Sequence, residues 1–216
     1  MSQAADRLTL GATTITYLID GSGDHNPDTM LPGLDWAAHP GSLTHGHLVL
    51  TFGAFLVRVG DRNILADLGI GLLDMDIPGL AHVKGGRLLK SLAEQGLSPE
   101  DIDTVVYTHL HLDHIGWTSD VPPTLHGQGA NTPSGLTFSR ARHLMAEPEW
   151  RHWTTGEGAH QMGGPDPVAT LGPLAGVIEF VQDGDTIAPG VTVEDTAGHT
   201  WPSSSATPPA RARSRC

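Results

Sequence analysis

A chain of 216 residues is long enough to bury one sizeable core, and 12 Lys and Arg against 24 Asp and Glu give it a formal net charge of −12. That acid excess weighs against a basic face for nucleic acid, and no apolar run approaches the length of a membrane span. The single cysteine, Cys216, is the last residue, so no internal disulfide framework exists; the first ten residues show no apolar stretch behind a basic one, and a cytoplasmic protein is expected.

The β-branched and aromatic run Thr13-Thr14-Ile15-Thr16-Tyr17-Leu18-Ile19 predicts a first strand, ending at the turn cluster Asp20-Gly21-Ser22-Gly23. From there to His47 the chain reads as irregular, with Pro27, Pro32, Gly33, Pro40 and Gly41, and its His25, His39, His45 and His47 are each expected to be solvated loop residues. Leu48–Val59 and Asn63–Asp67, joined by Gly60-Asp61-Arg62, predict a hairpin. The first of these stretches is almost continuously apolar, as in a sheet covered on both faces. Asp67 falls at a strand end with Gly69 and Gly71 behind it. Gly85–Gly96 carries Leu88, Leu89, Leu92 and Ala93 at helical spacing. Ile102–Tyr107 then predicts a buried strand, completing a strand–helix–strand crossing whose following loop sits where open sheets bind ligands.

That loop is Thr108-His109-Leu110-His111-Leu112-Asp113-His114. While the backbone stays extended, His109 and His111 point to the same side and can reach one cation. If the chain then turns helical, Asp113 and His114 can be aimed at a second. Imidazole and carboxylate donors at roughly 2.0–2.2 Å suit zinc, and no cysteine lies near enough for a structural knuckle. Ile115-Gly116-Trp117 continues a short helix, with Trp117 either lining the pocket or packing beneath it. Pro122–Gly135 reads as a loop, Ala141–Ala146 as a strand and Glu147–Trp153 as the start of a helix with Pro148 in its first turn. His143 has no partner spacing and is read as structural. Gly156–Gly176 suggests a mobile loop over the site mouth. Val177–Val181 and Val191–Glu194 predict a hairpin through Asp183-Gly184-Asp185, its second strand delivering Gly198-His199.

His-x-His-x-Asp-His after a hydrophobic strand, with Asp67-Leu68-Gly69 upstream and Thr196-Ala197-Gly198-His199-Thr200 downstream, resembles the metallo-β-lactamase superfamily of dinuclear metallohydrolases, over roughly residues 8 to 200. Its lactonase-like and organophosphate-hydrolase-like branches are the most similar. The resemblance implies an α+β fold, the αββα sandwich in which two sheets pack between outer helices. It implies that His109, His111 and His199 hold one zinc and that Asp113 and His114, with residues farther on, hold another. Asp67 would orient a ligand histidine by accepting its second N–H, and Asp113 would serve the leaving oxygen. The expected partner is a small-molecule substrate, with neither nucleic acid nor membrane, and the N-terminal segment would wall the pocket or form a homodimer contact. A diiron redox branch generally carries glutamate in place of the middle histidine, and His111 is histidine.

The family normally continues past Gly-His with a second Gly-His, a bridging aspartate and a last histidine, none of which follows here. Residues 201–216 contain three arginines, no acid, no glycine and no periodicity, a composition expected of disorder. Thr-Pro-Gly-His written ACN-CCT-GGC-CAT becomes Thr-Trp-Pro followed by a T-initial codon on loss of two nucleotides, matching Thr200-Trp201-Pro202-Ser203. The division expected is therefore a partial domain over 1–200, incomplete in its second half and exposing apolar sheet surface, and an out-of-frame tail over 201–216. The expected function is zinc-dependent opening of a lactone, ester or related bond; the alternative is an inactive truncated remnant that binds at most one metal tightly.

Overall fold

The β-branched run beginning at Thr13 does not stop at Asp20. In the computed structural model, which describes residues 6–125, 133, 135–160 and 164–200, β1 (Arg7–Leu10) leads into β2 (Thr13–His25), which runs through the Asp20-Gly21-Ser22-Gly23 cluster. The register of β2 against β3 (Leu48–Val59) shifts between Ile19 and Gly21, so the cluster is a bulge and not the expected turn. Glycine suits it because another strand passes close: a Cβ on Gly21 would lie 2.0 Å from the Lys84 carbonyl oxygen. His25, expected in solvent, is instead buried at the end of β2, with Nδ1 3.0 Å from the Gly23 carbonyl oxygen. His39, His45 and His47 are exposed. Between them and β2 lies one turn of helix, α1 (Pro27–Met30), capped by the Asn26 side chain.

β3 pairs antiparallel with β4 (Arg62–Ala66), as the hairpin pattern predicts. An unpredicted hairpin follows, β5 (Asp74–Ile77) and β6 (Ala81–Lys84), and β6 joins the outer edge of β2 beside β1. Helix α2 (Leu88–Ala93), shorter than its spacing suggests, returns the chain to β7 (Thr104–Val106), parallel to β4. Next come α3 (Leu112–Ile115), β8 (Arg142–Ala146) and α4 (Glu147–Thr154). β9 (Ile178–Val181) pairs with β8 in parallel instead of forming the expected hairpin with the next strand. That hairpin is made by β10 (Thr186–Ala188) and β11 (Val191–Thr192) as a separate two-stranded sheet. The main sheet therefore runs β5-β6-β2-β3-β4-β7-β8-β9, with β1 paired to β2.

Leu18, Leu56, Leu65, Leu92, Val105 and Leu110 form the centre of the core on one face of this sheet. The other face carries Val57, Ile64 and Val106 against Ile187, Ala188 and Val191 of the small hairpin. Beyond that cover Phe55 and Phe180 are 49% and 46% exposed, so β3 is not covered on both faces as its apolar run suggests. The Gly/Pro-rich stretch 156–176, expected to be a mobile lid, is anchored by Leu171 and Leu174, both fully buried in the core. No helix among the described residues is long and apolar enough to cross a membrane. The expected out-of-frame tail, residues 201–216, lies outside the described residues, as does much of the 122–135 loop.

Candidate metal centre

The carboxyl ends of β4, β7 and β8, neighbours in the parallel part of the sheet, deliver Asp67, the histidine loop and Glu149 to one place. His111 is still extended, at φ −65° and ψ 153°, when α3 begins at Leu112. Leu110 and Ile115 are fully buried and anchor the underside of the loop, which turns His109 and His111 the other way.

His199 reaches them from the far end of the domain, arriving on irregular backbone after β11 rather than at a strand end. Its ring centroid lies 4.8 Å from that of His109 and 4.9 Å from that of His111, and the latter two are 4.7 Å apart. One nitrogen from each ring falls within 4.8 Å of the others. Three imidazoles on one tetrahedral zinc at about 2.0–2.1 Å bring their nitrogens to about 3.3–3.5 Å, a small further closure.

The protons decide whether this group can accept a cation. Thr108 Oγ1 lies 3.0 and 2.8 Å from the two oxygens of Asp67 and 3.0 Å from His109 Nδ1. An ionised carboxylate only accepts, so the hydroxyl donates to Asp67 and accepts from His109 Nδ1–H. His109 Nε2 then carries a lone pair, and it is buried without a hydrogen-bond partner among the described residues. Burial, helped by the nearby His114 and His111, holds the His109 pKa down to about 4, which keeps the ring in its ligand form. A neutral imidazole whose buried acceptor faces two further imidazoles fits a divalent cation.

Asp67 adopts φ +62°, a left-handed conformation that costs an L-residue about 1–2 kcal/mol. In return its carboxylate accepts from the Thr108 backbone N–H and from His114 Nδ1, both at 2.8 Å. His114 Nε2 in turn lies 3.5 Å from Asp113 Oδ2. Burial alone would lower the His114 pKa, but hydrogen bonds to Asp113 and Asp67, and their charges, take it up to about 9. Asp113 is lowered despite burial, which opposes the shift, because His114 donates to it. His111 is lowered by burial and by His199, with Asp113 and Glu149 opposing. The His114 ring lies 3.9 Å from that of His109, so the Asp113–His114 pair adjoins the three-histidine group. His143 lies apart, buried between Tyr107 Oη at 3.0 Å and the Phe138 carbonyl oxygen at 3.1 Å.

Residues 54–205 match the family model of the Metallo-beta-lactamase superfamily. The chain belongs to that superfamily. A probable metallo-hydrolase of Mycobacterium tuberculosis is 24% identical over 181 residues, 74% of this chain and 57% of that protein. The fold is similar to AidC, a dizinc quorum-quenching lactonase solved with a product, at TM-score 0.64, 20% identity and coverage of 86% of this chain and 63% of that one. It is equally similar to a probable metal-dependent hydrolase from Staphylococcus aureus, at TM-score 0.64, 19% identity and coverage of 85% and 64%. The chain thus spans about 57–64% of the length of these relatives.

Two carboxylates of this superfamily member were not singled out by its sequence. Asp20, fully buried, accepts from the N–H groups of Ile70, Gly71, Gly86, Arg87 and Leu88 and from Trp117 Nε1. Trp117 therefore packs beneath the centre instead of lining a pocket. The segments Asp20 gathers include Gly71 and Gly116, which meet so closely that a Cβ on either would lie within 2.2 Å of the other's backbone. Gly116 N–H also donates to the Gly69 carbonyl oxygen at 2.8 Å, fastening α3 to the loop behind Asp67. Glu149, within the predicted helix start Glu147–Trp153, is buried against the histidine loop. An isolated acid beside glycines at the end of an apolar run was the one available signal for Asp20; Glu149 offered none.

Proposed function

We propose that the chain is a zinc-dependent hydrolase that opens a lactone, ester or related bond in a small-molecule substrate, with one zinc on His109, His111 and His199 and a second on Asp113 and His114. The observation that carries this reading is the buried Nε2 of His109, without a hydrogen-bond partner among the described residues and grouped with the imidazoles of His111, from the same loop, and His199, from far later in the chain. When bound, zinc polarises a carbonyl or phosphoryl oxygen and acidifies water to near neutrality. The chain's own residues prepare that chemistry. Thr108, held by Asp67, fixes the His109 tautomer, and Asp67 keeps the proton on Nδ1 of His114, so that Nε2, which donates to Asp113 without a metal, is the nitrogen that would release its proton to bind one. Asp113, its side chain 39% exposed and its pKa lowered, is a carboxylate at neutral pH, able to take a proton from attacking water and pass it to the leaving oxygen. Similarity to a lactonase in fold, and acidic composition, support a small substrate over nucleic acid.

A second reading, one tightly held cation and no turnover, is favoured by the metal-capable side chains themselves. Among the described residues, the one group of three or more is His109, His111 and His199. Zinc content of the purified chain, read together with hydrolysis of a panel of lactones and esters, separates the two. Two zincs with turnover support the hydrolase, one without turnover supports the second reading, and none overturns both.

A further inference from the structure

Glu149 stands in the first turn of α4, yet it is only 6% exposed. Its Oε1 accepts from the backbone N–H of Leu110 at 2.8 Å and from the indole Nε1–H of Trp153 at 2.7 Å. The Leu110 N–H belongs to the peptide that follows His109, in the two-residue step from His109 to His111. Side chains two apart share a side only while the backbone between them is held extended, so a rotation of this peptide separates the imidazoles. Trp153, one helical turn beyond Glu149, meets His111 edge-on, with ring centroids 5.7 Å apart and planes at 72°. A buried carboxylate is costly unless its oxygens are hydrogen-bonded. Here both donors are neutral groups, and both lead directly to the two histidines.

We propose that Glu149 is a positioning residue of the metal centre, setting through Leu110 and Trp153 the angle at which His109 and His111 meet a cation. The inference rests on the zinc reading above. Partners of this indirect kind typically change metal affinity by about 10–100-fold. The contact needs an acceptor oxygen at the right reach and does not need a charge, so glutamine can supply it whereas the shorter aspartate cannot.

The test compares the full chain with Glu149→Gln, Glu149→Asp, Glu149→Ala, His109→Ala and Leu171→Ala by zinc titration against a chromophoric chelator. Cobalt-loaded samples give visible spectra as a second readout. Glu149→Asp and Glu149→Ala are expected to bind zinc at least about tenfold more weakly and to shift the cobalt bands, while Glu149→Gln stays within about threefold of the parent. Leu171→Ala, which removes a fully buried side chain from the same core and touches none of the hydrogen bonds of Glu149, is expected to lower thermal stability and keep zinc affinity within about threefold of the parent. Should Glu149→Ala not fold, the Asp and Gln variants decide alone. Equal affinity in the parent and Glu149→Asp overturns the proposal, as does a loss in Glu149→Gln as large as in Glu149→Asp. If the parent binds no zinc, or His109→Ala binds as the parent does, the zinc reading itself has failed. If His109→Ala loses zinc and Glu149→Asp does not, only the positioning role has.

Discussion

Replacing Asp20 with asparagine changes one oxygen into an NH2 group at a position with no access to solvent. In the native chain Oδ2 accepts from Ile70 and Gly71 N–H, each at 2.8 Å. Oδ1 accepts from Arg87 at 2.9 Å, Leu88 at 2.8 Å, Trp117 Nε1 at 2.8 Å and, less closely, Gly86 at 3.2 Å. The better orientation of the amide keeps its oxygen on the second set and turns the NH2 toward Ile70 and Gly71. Two buried donors then lose their acceptor, at about 1–3 kcal/mol each, for a total of about 2–6 kcal/mol. Against a typical domain stability of about 5–15 kcal/mol that is a large fraction. Urea unfolding of the zinc-free chain at constant pH, followed by tryptophan fluorescence, should show the midpoint falling by about 1 M or more with the slope unchanged. Asp24→Asn, the same chemistry on an exposed residue of the same strand, should stay within about 0.5 kcal/mol. An Asp20→Asn midpoint indistinguishable from that of Asp24→Asn would refute the assignment of Asp20 as the acceptor that ties these segments together.

Other outcomes follow from the same geometry. His109→Ala should abolish zinc retention through dialysis, whereas His143→Ala should lower stability and keep the metal, because among the described residues its ring bonds to Tyr107 and Phe138 and not to the histidine group; equal zinc loss in both would show that the ligands are misplaced. The zinc-free chain should be most stable near pH 6.5. His109, depressed to about 4 in the folded state, makes stability fall as pH drops below its ordinary 6.5, and His114, raised to about 9, contributes stability that is full below 6.5 and lost as pH rises through 9. Urea midpoints measured from pH 5 to 9 test this, and a midpoint climbing steadily to pH 9 would contradict it. Free zinc at 100 times its dissociation constant should stabilise the chain by about 2.7 kcal/mol, seen as a higher melting temperature, and no change would argue against a folded-state site.

The parts of this structure legible in the sequence are those governed by local periodicity. Two imidazoles two residues apart share a side for as long as the extended backbone of the strand runs on through them, and the β3–β4 hairpin is announced by its own turn. Composition misleads where one residue type serves two ends. The Asp20-Gly21-Ser22-Gly23 cluster looks like a turn, and only the arrival of β6 alongside, with Lys84 against Gly21, makes it a bulge. Glycine and proline in 156–176 mark irregular backbone correctly but say nothing of depth, which Leu171 and Leu174 decide by packing into the core. Nearness in sequence points β9 to a hairpin with the next apolar run, whereas the open edge of β8 is the partner it takes.

The carboxylates show where such reading stops. Asp67 is conspicuous because glycines follow it and its partners include a histidine of the motif, a side chain with a name. Asp20 binds five backbone N–H groups and one indole, and Glu149 one backbone N–H and one indole. A backbone N–H is supplied by every residue but proline, so it leaves no mark on composition or spacing. What selects the acid is the number of donors the fold converges on one buried point, and that number exists only after β2, β4, β7 and α4 have come together. The arrangement of the histidines then depends on acids that no local pattern could attach to them. Asp20 steadies α3 through Gly71 and Gly116, and Glu149 steadies the loop before it. Loss of either should disturb zinc affinity even though neither is a candidate ligand, and the two effects should differ in kind. Asp20→Asn lowers global stability and zinc affinity together. Glu149→Asp lowers affinity with a smaller loss of stability, because Glu149 satisfies two donors where Asp20 satisfies six.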